Sequence, residues 1–384
     1  MFTDSYLPSR DGVVTSVVTS RQELQKLGHE VFIFAPEPLD AKDREPGIYY
    51  CRSKRFRRYQ GYTIPMYPTD KSAQLTRIGA EVIHAQGLLF MGLRSLLAAK
   101  NLRLPVVVTW HTMVTDAVHY YNFTPLPDEH AKRLMLLYLR SLIRRADAII
   151  APTHAIKEEL LQMQPRIRHI EVIPTGVDTE RFNPSVDGNA VRKRLGLEGK
   201  KVILSVGRVA WEKNYELMLE GFSHLAKDEP LARLVIAGEG PAKDHCQQLA
   251  RQFHVEDKVV FPGFITDAEL PSLYAACDCF NISSKFETQG IVVMEAMACG
   301  RPVSAIRYRA LAEIVSDGVD GVLFDEDPRS WAEATHKALD ADGDMGRMGR
   351  MKAEGFSQEA SARDLVAIYQ YAIEAKRRRL NPED

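Results

Sequence analysis

The 384-residue chain lacks any uninterrupted apolar run of about 18 residues, so no segment is fit to cross a bilayer as a helix. It also lacks an excess of either charge. Its 50 Lys and Arg stand against 51 Asp and Glu, a net −1. A chain so balanced is not built around a global field for nucleic acid, although local basic patches can persist. Cysteine is scarce: Cys51, Cys246, Cys277, Cys279 and Cys299 are odd in number and form no CxxC. That argues against a disulfide framework and for a reducing cytoplasm. No Walker A run exists, and the GEGP at 238–241 lacks the third glycine of a dinucleotide fingerprint. Asp-x-Asp occurs at 325–327, 340–342 and 342–344, all in expected loops. The run from Asp340 imitates a calcium loop but carries Met345 and Met351 where that loop needs Gly and Glu. Neither a metal site nor a cofactor is expected. The first twelve residues carry no apolar signal-peptide core and enter a turn almost at once. The first strand is therefore expected to be clipped, and a true start upstream of Met1 would account for that.

What is present is ordinary globular composition, 45% hydrophobic and 26% charged, in a length that suggests two or three domains. Short apolar runs alternate with amphipathic stretches. In the first half the strand-like runs are 29–36, 81–87, 104–112, 146–153 and 169–176, with helical stretches at 13–28, 88–101 and 129–146. Continuous Val and Ile bounded by turns fit parallel strands buried on both faces. A polar stretch with Pro and Gly over 178–200 reads as a linker. A second series follows at 201–207, 232–240, 258–264, 277–284, 302–306 and 321–326. The tail from about 357 reads as a long helix with Leu365, Ile368, Tyr369 and Ala372 on one face. Strand–helix alternation predicts an α/β protein of two doubly wound, Rossmann-like domains facing a cleft. The expected domains are 1–180 and 181–356, with the 357–384 helix packing back on the first.

Four features can carry chemistry. Glu287-Thr-Gln-Gly-Ile-Val-Val-Met-Glu295 directly follows an expected strand. A strand, a turn at Gly290 and a helix would present the backbone N–H groups of Thr288, Gln289, Gly290 and Ile291 as an anion site. A helical rise over eight residues would set the two carboxylates roughly 12 Å apart, with Glu295 two turns inside. That is too far for the carboxylate pair of a retaining glycosidase, which needs about 5 Å. Taken alone, the first Glu could equally complement a helix dipole. Second, Gly207-Arg208 ends a strand and Lys213 opens the next helix. Two cations there would neutralise a phosphate, while a solvated Arg and a Lys213–Glu212 surface pair is the plainer alternative. Third, Gly12 begins a helix where a turn can approach a phosphate, or is simply a turn. Fourth, His111 ends a strand of the first domain, pointing to the cleft or serving structure alone.

Together these features resemble the large retaining glycosyltransferase family four, of GT-B architecture, over nearly the whole chain. The resemblance is carried by the E-x7-E of Glu287 and Glu295, GRxxxEK at 207–213, VIPTGVDTERF at 172–182 and VIAGEGP at 235–241. ETQG at 287–290, DGVVTSV at 11–17 and HTMVTDAVHYY at 111–121 look closer to enzymes that glucosylate diacylglycerol and to related lipid glycosyltransferases. The short start departs from the family, as does Gln358 where the final helix usually has Trp.

The resemblance implies a nucleotide-diphosphate sugar donor, glucose favoured, and a lipid acceptor such as diacylglycerol. It implies Arg208 and Lys213 on the diphosphate, Glu287 on the donor sugar and Glu295 on the ribose. It further implies Thr288 to Ile291 on phosphate and sugar, Phe264 or Ile265 beside the base, His111 on the donor sugar and Gly12 near the phosphate. Arg208, Lys213, Glu287 and His111 are the expected catalytic residues.

Within the expected acceptor-side domain, Arg52, Lys54, Arg55, Arg57 and Arg58 interleave with Phe56 and Tyr59. Such a run suits an anionic leaflet, and equally a solvated loop or one that meets an acidic polymer. A cytoplasmic protein docked peripherally on the inner face of the cell membrane is the resulting expectation, with no nucleic-acid partner. The basic end at 376–379 is read as complementing a helix dipole. Two other functions stay open: a mannosyl- or hexosyltransferase acting on a glycan or soluble acceptor, and a nucleotide-sugar-binding protein without transfer activity.

Overall fold

The computed structural model describes residues 1–9, 11–55, 63–65, 71–111, 127–341 and 343–381. The chain divides into two compact units, residues 1–176 with 358–384 and residues 177–357. The division falls a few residues before the expected 180/181 boundary.

The first unit is built on parallel strands. β1 (Ile33–Pro36) pairs with β2 (Ile48–Cys51). A short antiparallel hairpin follows, formed by β3 (Ser53–Arg55) and β4 (Thr63–Pro65). A four-stranded parallel sheet runs in the order β5 (Ile83–Ala85), β6 (Val106–Thr109), β7 (Ala148–Ala151) and β8 (Ile170–Val172). Phe2 bridges β1 and β5, pairing with Phe34 and Ala85. Its N–H donates to His84 O at 2.8 Å, and the Thr3 N–H donates to Phe34 O at 3.1 Å. Residues 1–3 thus fill the slot of a first strand, with Phe34 N–H also donating to Met1 O and Gln86 N–H to Phe2 O, each at 2.8 Å. The Phe2 ring stacks on Phe34, which stacks in turn on Tyr49, at 4.6 and 4.8 Å between centroids. β1, β5, β6 and β7 are buried along their whole length, as expected of parallel strands covered on both faces.

The C-terminal helix Gln358–Leu380 belongs to this unit and packs on helix Gly12–Lys26. Its buried face is Ala362, Leu365, Ile368 and Ala372, with Tyr369 partly buried beside them. Its basic end does more than meet a dipole. Arg379 forms an ion pair with the fully buried carboxylate of Asp147, with Lys376 at 3.9 Å. Asp147 also accepts the Val106 N–H at 2.8 Å.

The second unit holds one six-stranded parallel sheet in the order β11-β10-β9-β12-β13-β14. These strands are β9 (Lys201–Val206), β10 (Ala232–Ala237), β11 (Val259–Gly263), β12 (Cys279–Ile282), β13 (Val303–Ile306) and β14 (Gly321–Phe324). That is the doubly wound order 3-2-1-4-5-6, and its direction reverses between β9 and β12. The stretch expected as a linker contains a helix, Asn189–Arg194, anchored by Arg192 to Asp278 at 2.6 Å. All five cysteines are free and buried. Among the described residues no helix is long and apolar enough to cross a membrane.

Candidate active site

In a doubly wound sheet, ligands bind beyond the carboxyl ends of the strands, where the order reverses. Two of the motifs leave the second unit's sheet at that point, GRVAWEK after β9 and KFETQG after its neighbour β12.

The first loop is fixed by its backbone. Gly207 has φ +149°, and the chain runs through Arg208 to a 3-10 turn, Trp211–Lys213. Asn214 is left-handed at φ 55°, and helix Tyr215–Asp228 starts after it. Lys213 therefore lies one short turn ahead of the helix it was expected to open. The GEGP loop interlocks with this segment. Gly207 N–H donates to Ala237 O, Val209 N–H to Glu239 O and Ala242 N–H to Val209 O, each at 3.0 Å. A Cβ on Gly238 would collide with Gly207 O, and one on Gly240 with Val209 O. The glycines of GEGP thus serve close backbone approach, which is why the run need not complete a dinucleotide fingerprint.

The charges are arranged in pairs. Arg208 forms an ion pair with the buried Glu212. Lys213 Nζ donates to Glu287 Oε1 at 2.6 Å. Glu212 is thus the partner of Arg208, not of Lys213 as the plainer sequence reading had it. The pairing follows the strand order, because β9 and β12 deliver the two loops side by side. Burial pushes the Glu287 carboxyl up, but the Lys213 charge and hydrogen bonds from Lys213 and Ser284 outweigh it, and the net shift is downward. Glu287 is held ionised.

Residues 287–290 are not helical. Gly290 is left-handed at φ 80°, and helix Ile291–Ala298 begins only after it. Glu295 therefore lies one turn inside that helix, not two, and an eight-residue helical rise does not measure the gap to Glu287. Of Thr288, Gln289, Gly290 and Ile291, only Ile291 is helical, and the other three form the turn ahead of the helix. Glu295 is buried and accepts the Tyr274 hydroxyl at 2.7 Å. Burial pushes its carboxyl up to about 7, against the opposing Tyr274 hydrogen bond and the Arg181 charge. At the carboxyl end of β11, Phe264 is 60% exposed and Ile265 half-buried against the core.

Beneath the Glu287 loop lies a polar network that the sequence did not announce. Trp331 Nε1 donates to Asn281 Oδ1 at 3.1 Å, and Asn281 Nδ2 donates to Ser304 Oγ at 3.1 Å and Thr335 Oγ1 at 3.3 Å. All four residues are buried. Tyr274, which holds Glu295, also had no signal beyond an apolar position in a helix.

The remaining candidates lie in the first unit. Gly12 is the exposed first residue of its helix, whose N-cap is the Asp11 carboxylate accepting Val14 N–H at 2.9 Å. His111 follows β6, and its Nε2 meets Oε1 of the buried Gln86, which follows β5. Burial drives the His111 pKa down to about 4, so the ring is neutral at physiological pH. Gln86 was not singled out in the sequence; its position after a strand was the available clue. Arg52 and Lys54 are exposed, and Ser53–Arg55 forms one strand of the hairpin. Phe56, Arg57, Arg58 and Tyr59 lie outside the described residues, as does the side chain of Arg55.

One group among the described residues has the spacing of metal ligands: Glu229, His336 and Asp340. The Lys201 ammonium already sits between Glu229 and Asp340, 2.9 Å from each. Lys201 begins β9, so this cluster is at the amino end of the strand, opposite the loops at 207–213.

Two cations, each paired with a carboxylate, and a helix start thus lie beyond the carboxyl ends of β9 and β12. The adjacent carboxylate of Glu287 can accept hydrogen bonds from hydroxyl groups. Residues 10–181 match the Glycosyltransferase Family 4 domain, and residues 188–355 match Glycosyl transferases group 1. The alpha-monoglucosyldiacylglycerol synthase of Streptococcus pneumoniae is 31% identical over 96% of this chain and 85% of its own length. That of Acholeplasma laidlawii is 26% identical over 99% of this chain and 98% of its own. The structure of HepE from Anabaena, solved with UDP and glucose, is 18% identical and superposes with a TM-score of 0.77 over 95% of this chain and 98% of that one. With both halves matched and the fold shared end to end, the chain belongs to the family 4 glycosyltransferases of GT-B fold.

Proposed function

We propose that the protein transfers glucose from UDP-glucose to a diacylglycerol-type lipid, with retention of configuration and without a metal ion. The observation that carries this reading is the Lys213–Glu287 pair at the reversal point of the second sheet. In it a cation suited to a diphosphate touches a carboxylate suited to sugar hydroxyls. The S. pneumoniae and A. laidlawii relatives, whose names give glucosyldiacylglycerol as product, support the lipid acceptor. The UDP and glucose bound to HepE support the donor.

Departure of the nucleotide builds negative charge on its diphosphate. Arg208, Lys213 and the N-terminus of helix Ile291–Ala298 stabilise that charge from fixed positions. Binding of the diphosphate gives both cations a new partner, which frees Glu287 to accept from the sugar. The acceptor hydroxyl attacks the anomeric carbon on the face the nucleotide leaves, and its proton passes to the departing phosphate oxygen. Glu295 takes the ribose hydroxyls, and Ile265 with Phe264 borders the base. In the first unit, neutral His111, whose Nε2–H is held by Gln86 Oε1, accepts a hydrogen bond from a donor-sugar hydroxyl at Nδ1, and Gly12 lets its loop approach the phosphate. Peripheral docking on the inner face of the cell membrane would bring the enzyme to its acceptor.

The test is nucleotide release from a panel of UDP-, GDP- and ADP-sugars, each with and without diacylglycerol. Release from UDP-glucose that depends on diacylglycerol is the expected result. Release from GDP-mannose with a soluble acceptor, or no release from any donor, would overturn the reading.

A further inference from the structure

Strands inside a parallel sheet covered on both faces are normally apolar. β12 and β13 break that rule at one pair of positions. Asn281 and Ser304 stand in register across the two strands, and both are 0% exposed. Helix Pro328–Leu339 packs over them with Trp331 and Thr335, which are equally buried.

The Asn281 amide is fully used. Its Oδ1 accepts from Trp331 Nε1 at 3.1 Å and from Ser283 Oγ at 3.3 Å. Its Nδ2 donates to Ser304 Oγ at 3.1 Å and Thr335 Oγ1 at 3.3 Å, and those two hydroxyls lie 2.9 Å apart. Trp331 Nε1 also reaches Ser283 Oγ at 3.2 Å. A buried amide costs stability unless it is hydrogen-bonded. Once satisfied, such a network fixes one arrangement where apolar packing tolerates several.

The network ends where the Glu287 loop begins. Ser283 is the first residue after β12. The next residue, Ser284, is also buried; its Oγ accepts the Phe286 N–H at 3.3 Å, and its hydroxyl donates to the Glu287 carboxylate. The other side of the pair meets the same indole. Helix Tyr215–Asp228 follows the Lys213 turn, and a Cβ on its Gly221 would lie 2.8 Å from the Trp331 ring. Trp331 thus touches the helix that follows Lys213 and, through Ser283, the strand end that precedes Glu287.

We infer that Trp331 and Asn281, acting through Ser283 and Ser284, are positioning residues for the transfer reaction that fix the Glu287 carboxylate against Lys213. This rests on the reading of Glu287 as the group that meets the donor sugar. A carboxylate displaced by about 1 Å loses much of its effect on the reacting sugar, although the sheet beneath it stays folded.

The test is a double-mutant cycle. Trp331→Phe keeps the bulk of a ring and loses the N–H; Ser283→Ala removes one hydroxyl and carries the test if Trp331→Phe fails to fold. Each is made in the wild type and in Glu287→Gln, and kcat is measured with the sugar nucleotide that the donor panel selects. In the wild-type background each substitution should lower kcat at least about tenfold, with the affinity for UDP unchanged, because UDP carries no sugar for Glu287 to meet. In the Glu287→Gln background the same substitutions should change kcat by less than about twofold. Equal losses in both backgrounds would overturn the inference, as would unchanged kcat or a parallel loss of UDP affinity. Full turnover by Glu287→Gln would remove the Glu287 reading and this inference with it. If no sugar nucleotide is turned over, the proposed function falls and urea unfolding of the same proteins reads the tether. Non-additive midpoints for Trp331→Phe and Glu287→Gln would then support it, and additive ones overturn it.

Discussion

Glu287 and Glu295 are the same residue type in one motif, yet the fold shifts their carboxyls in opposite directions. Both are desolvated, which favours the neutral form. Glu287 has the Lys213 ammonium at 2.6 Å and stays ionised. Glu295 accepts from the neutral Tyr274 hydroxyl and is pushed up to about 7. The second case has a consequence for stability. With an unfolded value near 4.5, the unfolded chain releases this proton at lower pH than the folded one. Stability contributed by the neutral Glu295 is therefore intact below about pH 4.5 and falls as pH rises towards 7, by about 3 kcal/mol in all. Glu295→Gln keeps the acceptor for Tyr274 and has no proton to lose. Urea unfolding at pH 5 and pH 8 should show the variant losing less stability than the wild type across that range. An identical pH dependence in both would mean Glu295 is not the group responsible. The E-x7-E spacing was legible in the sequence, but the difference in state was not. Lys213 and Tyr274 are 74 and 21 residues away from their partners, and only the fold brings them in.

At the scale of elements, the buried strands were legible because each is a mostly apolar run between turns. β2, β3 and β4 were not, because their few residues are polar or aromatic and are strands only through pairing with a neighbour. The helix at Asn189–Arg194 hid in a stretch whose polarity looked like a linker. The interlock of GEGP with the Gly207 loop was equally invisible, since it depends on β9 and β10 being adjacent. Gly238→Ala should cost at least about 2 kcal/mol in urea unfolding, because a Cβ meets Gly207 O and φ is +140°. A change below about 0.5 kcal/mol would show that the loops are not in that contact. The C-terminal helix offers a second test. Asp147→Ala removes the buried partner of Arg379 and leaves Val106 N–H without its acceptor. A loss of about 2 kcal/mol is expected. Hydrogen exchange should speed up in Gln358–Leu380 ahead of the second unit, and uniform acceleration would contradict a local clamp.

For the whole molecule, the two units divide the candidate residues between them. The second holds Arg208, Lys213, Glu287 and Glu295, grouped around the reversal of its sheet. The first holds His111 and Gly12. The strand order that sets Lys213 beside Glu287 is not written in any local stretch of sequence; the motifs showed which residues to watch, and the topology showed why they meet. The claim on which the account turns is that Lys213 stabilises the leaving diphosphate. Its direct measurement is the turnover of UDP-glucose with diacylglycerol by Lys213→Ala, compared with the wild type at matched circular dichroism and melting temperature. The account predicts a fall of about 10²–10³, the scale of losing one charge-stabilising donor. Full turnover by a folded Lys213→Ala protein would contradict it.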